Sequence, residues 1–90
     1  MLAIQPQFQD SAIGGYYSLD DDTVACEVLN ARGHLKRVVV TNAQRGEYVN
    51  NRAYDAILSG DAEELTEGQY LDRKAQIEER RRQASGFHLI

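Results

Sequence analysis

The chain has 90 residues, a formal net charge of −4 at pH 7, 42% hydrophobic residues and 27% charged residues. A chain of this length forms one domain with a thin core, and its apolar content is too high for a disordered polymer of this charge. Its single cysteine, Cys26, excludes an intramolecular disulfide and a cysteine-based metal site. Apolar runs are short, as at Val38–Val40, so a membrane-spanning helix is excluded. We therefore expect a cytoplasmic protein that does not contact a membrane.

The N-terminal residues alternate between apolar and polar side chains, which is typical of a half-buried strand. Pro6 has no backbone N–H, so this strand can lie only at the edge of a sheet. Residues 1–13 are predicted to form such an edge strand or an extended arm.

An antiparallel meander is predicted over Tyr16–Thr41. Its strands are Tyr16–Leu19, Thr23–Leu29 and His34–Thr41, which are rich in aromatic and β-branched residues. Turns are expected at Asp20–Asp22 and at Asn30–Gly33, where Gly33 can adopt a positive φ.

Beyond position 50 the hydrophobic period becomes helical. Asn50 or Asn51 can cap a first helix, which ends near Gly60, and Thr66 with Gln69 forms a capping box for a second helix. The second helix is expected to reach about Ala84, with Tyr70, Leu71, Ala75 and Ile77 as its apolar surface, before an apolar tail at residues 86–90. The predicted fold is an α+β domain in which a three- or four-stranded antiparallel sheet is followed by two helices packed on one face.

The sequence offers few groups for catalysis. A Cys26–His34 pair is the one combination that lies close in the predicted hairpin, but a cysteine among valines has low reactivity. The acidic run Asp20–Asp22 lacks the ligand spacing of a calcium loop. We predict no enzymatic activity, no cofactor and no metal site.

A non-catalytic protein-binding module is the predicted function: an accessory, regulatory or inhibitory factor, such as phages and mobile elements encode, that occupies a surface on a larger assembly. The partner is another protein or a second copy of the chain. Exposed tyrosine and arginine are typical of protein interfaces, and the apolar tail adds a further contact. The predicted contact residues are Tyr16, Tyr17, Arg80, Arg81, Arg82 and Phe87.

Nucleic-acid binding through the second helix is the alternative function. Five of the ten lysine and arginine residues fall between positions 73 and 82, although Glu78 and Glu79 weaken the positive field there. The residues predicted to contact phosphates are Arg37, Arg45, Arg73, Lys74 and Arg80.

Overall fold

The computed structural model describes the backbone of residues 12–87 and the side chains of residues 12–84. The predicted N-terminal edge strand or arm lies outside the described residues, except that Ala12 and Ile13 begin the first strand. Residues 88–90 of the predicted apolar tail also lie outside them. Gly86 and Phe87 belong to the last helix, so the backbone stays helical beyond the predicted end at Ala84.

Five strands and two helices make up the described chain. The strands form one antiparallel sheet in the order β4-β3-β2-β1-β5, because the first four make a meander and the fifth returns to pair with β1. The elements in chain order are β1 (Ala12–Asp20), β2 (Thr23–Leu29), β3 (Leu35–Asn42), β4 (Gly46–Val49), α1 (Ala53–Ser59), β5 (Glu63–Leu65) and α2 (Glu67–Phe87).

The two faces of the sheet carry separate hydrophobic clusters. Val24 and Cys26 of β2 pack with Tyr70 and Ile77 of α2, and we call this side the α2 face. The intervening Ala25 packs with Val38, Val40 and Ala53 of α1 on the other side, the α1 face. Neighbouring residues of a strand point to opposite faces, so β2 contributes to both clusters. Each helix therefore covers a different face.

The α+β prediction, an antiparallel meander followed by two helices, is confirmed. The structure differs from it in having five strands, and in placing α1 on the face opposite α2. The two additional strands, β4 and β5, have only four and three residues, and each depends on pairing with a longer neighbour. The α1 helix follows β4 after a short connection in which Asn50 N donates to Val38 O over 2.9 Å, and its Ala53 packs on the α1 face.

The predicted helix ends are confirmed in part. Thr66 and Gln69 form a capping box, in which Thr66 N donates to Gln69 Oε1 over 2.9 Å and Gln69 N donates to Thr66 Oγ1 over 3.1 Å. Gly60 ends α1 in the left-handed conformation, with φ 85°. The residue before α1 is Arg52, which makes no side-chain cap. Of the two predicted caps, Asn50 Oδ1 accepts from Arg52 N over 3.2 Å just before the helix, whereas Asn51 accepts from Val38 N over 3.0 Å and so ends the β3–β4 ladder.

We predict that Ile77→Ala lowers the free energy of unfolding by about 2–5 kcal/mol. Ile77 is only 1% exposed on the side of α2 that faces the sheet, so truncating its side chain leaves a cavity. Leu71→Ala on the same helix is the matched control, since Leu71 is 53% exposed, and we expect a change of at most about 0.5 kcal/mol. Urea unfolding followed by circular dichroism measures both. Equal losses in the two variants would contradict the way α2 packs.

Thr41 lies on the α2 face, 1% exposed, and its hydroxyl has no hydrogen-bond partner among the described residues. Thr41→Val removes an unsatisfied buried polar group, so we expect stability to stay the same or to rise by about 1 kcal/mol. Thr23→Val is the control, because the Thr23 hydroxyl accepts from Asn42 Nδ2 over 2.8 Å and this variant loses a bond. A Thr41 variant as destabilised as the Thr23 variant would contradict this prediction. Denaturant unfolding of both distinguishes the outcomes.

Candidate protein-binding surface

The basic residues in the first half of α2 contact the sheet. Arg73 Nη1 donates to Ser18 Oγ over 3.0 Å, and its Nη2 lies 3.8 Å from Glu63 Oε1, so it joins β1 and β5. Lys74 Nζ lies 3.1 Å from Glu47 Oε2 on β4. These two side chains therefore reach both edges of the sheet from one turn of the helix.

The arginines in the second half of α2 contact the turns at one end of the sheet. Arg80 pairs with the Asp22 carboxylate and donates to Asp21 O over 3.2 Å, at the β1–β2 turn. Arg81 Nη1 donates to Gln44 O over 2.7 Å, at the β3–β4 turn. Arg82 pairs within the helix with Glu79, three residues before it. Exposed ion pairs of this kind add little stability individually, but together they fix how α2 lies on the sheet.

The two adjacent tyrosines of β1 lie on opposite faces, as the period of a strand requires. Tyr16 stacks on Tyr70 of α2 with ring centroids 4.7 Å apart. Tyr17 lies on the α1 face, and its ring packs over Gly15. A Cβ at Gly15 would come within 2.8 Å of the Tyr17 hydroxyl, which lies 3.5 Å from Glu27 Oε1. Burial, followed by nearby carboxylates, raises the pKa of both tyrosines. Each ring therefore fills a place within the domain.

The remaining predicted site residues are dispersed. Arg37 is half-buried on the α2 face, opposite Val28. Arg45 lies over the Tyr48 ring at 4.1 Å, and Tyr48 packs against the α1-face cluster. Phe87 belongs to the last turn of α2, and its side chain lies outside the described residues. Neither predicted residue set forms one continuous surface, and both sets remain predictions.

A different surface appears where α2 leaves the sheet uncovered. Tyr16, Cys26, Val39 and Val49 form one row across the α2 face, from β1 to β4. Tyr70 packs against the β1 end of this row, while Val39 is half-buried and Val49 is 56% exposed at the other end. The next row, beyond the N-terminus of α2, consists of Ile13, Val28 and Arg37. This part of the face has no helix above it in the described chain.

Leu71 borders the same uncovered area. It lies one helical turn before Lys74 and hence on the same side of α2, and Lys74 contacts Glu47 on β4. Three of the four exposed large hydrophobic residues of the described chain therefore surround this area: Ile13 at 48%, Val49 at 56% and Leu71 at 53%. We call the surface the open corner, and it comprises Ile13, Val28, Arg37, Val39, Val49 and Leu71.

Sequence reasoning missed the open corner as a site. The sequence predicts Leu71 on the apolar surface of α2, but it lies about 100° around the helix from Tyr70 and faces solvent. The signal that could have revealed the corner is the mismatch between an eight-residue β3 and the short apolar stripe of α2, which cannot cover every residue of the α2 face.

The two residues considered for catalysis, Cys26 and His34, lie far from each other. Cys26 is buried under α2, and burial raises the pKa of its thiol, an effect that Lys74 only partly offsets. His34 is exposed in the β2–β3 loop and pairs through its backbone with Asn30. Asn30 is four strand residues, or roughly 13 Å, from Cys26. A hydrogen-bonded pair of these side chains is therefore out of reach.

Neither a metal-binding cluster nor a membrane span is present within residues 12–87. This range contains no group of three or more histidine, cysteine, aspartate or glutamate residues that could hold a metal ion. Of the acidic run, Asp20 accepts from Asp22 N over 2.8 Å, and Asp22 pairs with Arg80. Neither helix in this range is long and apolar enough to cross a membrane.

Comparison with known proteins adds no further information: no family model, curated protein or solved structure matches this chain.

We predict that stability falls with rising pH between about 10 and 12. Burial raises the pKa of Tyr70 from 10.0 to about 12, whereas the unfolded chain releases this proton near its ordinary value. The unfolded state thus binds fewer protons in this window, and stability that is intact below pH 10 is lost toward pH 12, by up to about 1.4 kcal/mol per pH unit. Denaturant unfolding at a series of pH values measures the slope. Tyr70→Phe should reduce it, and an identical slope in wild type and variant would contradict the prediction.

Proposed function

We propose that this domain is a non-catalytic protein-binding module, an accessory, regulatory or inhibitory factor that acts by occupying a surface on a larger partner protein. The observation that carries the proposal is the open corner, where Ile13, Val49 and Leu71 are each about half exposed near the N-terminal end of α2. Contiguous apolar surface of this kind on a small domain is typical of interaction sites, whereas single exposed apolar side chains are ordinary.

The composition of the open corner resembles the centre of a protein interface. Its floor is formed by β-branched side chains on the sheet, which have few rotamers to lose when a partner orders them. Arg37 lies among them, half-buried, and forms no ion pair or hydrogen bond with another described residue. A guanidinium in apolar surroundings binds a carboxylate strongly. We therefore expect the partner to present apolar side chains with an acidic residue among them.

The contacts of the basic residues do not favour the nucleic-acid alternative. Arg73, Lys74 and Arg80 each bind an acidic residue of the sheet or its turns, which lowers the positive field available to phosphates. Arg45 contacts a residue of the α1-face cluster and Arg37 lies on the α2 face. A nucleic acid would have to meet both faces of the sheet to contact the whole set.

We predict that replacing Ile13, Val49 and Leu71 together with serine abolishes specific partner capture without unfolding the domain, because these side chains are exposed. Tagged protein expressed in its native host, purified and analysed by quantitative mass spectrometry, measures the capture. The expected result is a partner enriched with the wild type and lost with the triple variant.

Leu58→Ser is the matched control, because Leu58 on α1 is 67% exposed and lies away from the open corner. It should retain the partner. The Arg37→Gln variant tests the charge: we expect weaker capture, by about 2–5 kcal/mol if Arg37 meets a buried carboxylate. A partner retained equally by the triple variant and by wild type, or the recovery of no specific partner, would contradict the proposal.

A further inference from the structure

Within residues 12–87, the sheet ends in two edge strands of different character. The β5 edge carries two adjacent acids, of which Glu63 pairs with Arg73 at 3.8 Å while Glu64 has no ion pair with another described residue, and such a charge discourages strand pairing. The β4 edge carries one acid, Glu47, and Lys74 of α2 neutralises it at 3.1 Å. Its neighbour Val49 is apolar and 56% exposed. Of the two edges, β4 is thus the one that carries no unpaired acid.

The hydrogen-bonding groups of β4 alternate in direction. Asn50 N donates to Val38 O, so Asn50 faces β3. In an antiparallel ladder the residues alternate between facing the neighbour and facing away, so Tyr48 also faces β3, opposite Val40, while Glu47 and Val49 direct their N–H and C=O groups outward. The outer edge therefore offers two donor–acceptor pairs placed symmetrically on either side of Tyr48.

We propose that two copies of this chain associate through the outer edges of β4, around a two-fold axis that passes beside Tyr48, to form a continuous ten-stranded antiparallel sheet. The symmetry follows from the spacing. Glu47 of one copy lies opposite Val49 of the second copy, and the two residues exchange both of their backbone hydrogen bonds, as does the reciprocal pair.

The side chains at this seam are compatible with the pairing. Each Glu47 faces a valine rather than another acid, and each keeps its own ion pair with Lys74. Tyr48 of each copy meets its counterpart as a non-hydrogen-bonded pair on the α1 face, where aromatic cross-strand pairs stabilise sheets. The seam uses the backbone edge of β4, whereas the open corner uses side chains above the sheet, and Val49 belongs to both. Because Ile13 and Leu71 belong to the open corner alone, self-association and partner capture can fail independently.

The register predicts which cysteines can form a disulfide. Opposite residues of a hydrogen-bonded pair have Cα atoms about 5.5 Å apart, within disulfide range, while residues displaced by two positions lie beyond it. An equimolar mixture of Glu47→Cys and Val49→Cys proteins, oxidised under dilute conditions, should give a covalent dimer on non-reducing gels. Each variant alone should give far less. Wild type controls for Cys26, which is buried.

Sedimentation velocity from low micromolar to millimolar concentration tests the same contact without cysteines. Wild type should convert from monomer to dimer, and Val49→Pro should remain monomeric, because proline removes an outward N–H that no internal bond uses. Val49→Thr retains the N–H and the branched shape, so it should still dimerise. A wild type that stays monomeric throughout, a Val49→Pro protein that still dimerises, or cross-linking that does not require the mixture would each overturn the proposal.

Discussion

The position of α2 on the sheet depends on a small apolar contact, in which Tyr70 and Ile77 pack against Val24, Cys26 and Leu65. Most other positions of this helix are polar, so the hydrophobic effect holds it on the sheet through this small contact. Its basic residues then fix its direction by contacting both edges of the sheet and both turns at one end. The uncovered remainder of the face is a direct consequence of this arrangement.

These contacts change how the arginines of α2 are interpreted. A run of arginines on a helix suggests an interaction surface, yet here Arg80 and Arg81 bind the turns of their own domain. The groups left for a partner are mainly apolar and belong to the sheet, and Leu71 adds to them from the described part of α2. The proposed function rests on these exposed side chains, and the proposed self-association rests on the neighbouring edge of β4.

Local signals in the sequence were sufficient for the meander and for several element ends. The valines of β3 and the Thr66–Gln69 capping box act through neighbours in the chain, so their structures follow from short windows. The pairing of Glu63–Leu65 with β1 joins residues more than forty positions apart and has no local signal. The open corner likewise depends on which strands α2 crosses. Helical periodicity predicts an apolar stripe, but it does not specify how much of a sheet that stripe covers.

Methyl NMR with a soluble paramagnetic agent tests the central claim, that α2 covers one part of its face and leaves the other open. Methyl groups in contact with solvent relax faster in the presence of the agent, whereas those in the core are protected. The account predicts strong relaxation enhancement for Ile13, Val49 and Leu71, and little for Val24 and Ile77. Uniform protection of all five residues in the dilute protein would contradict it.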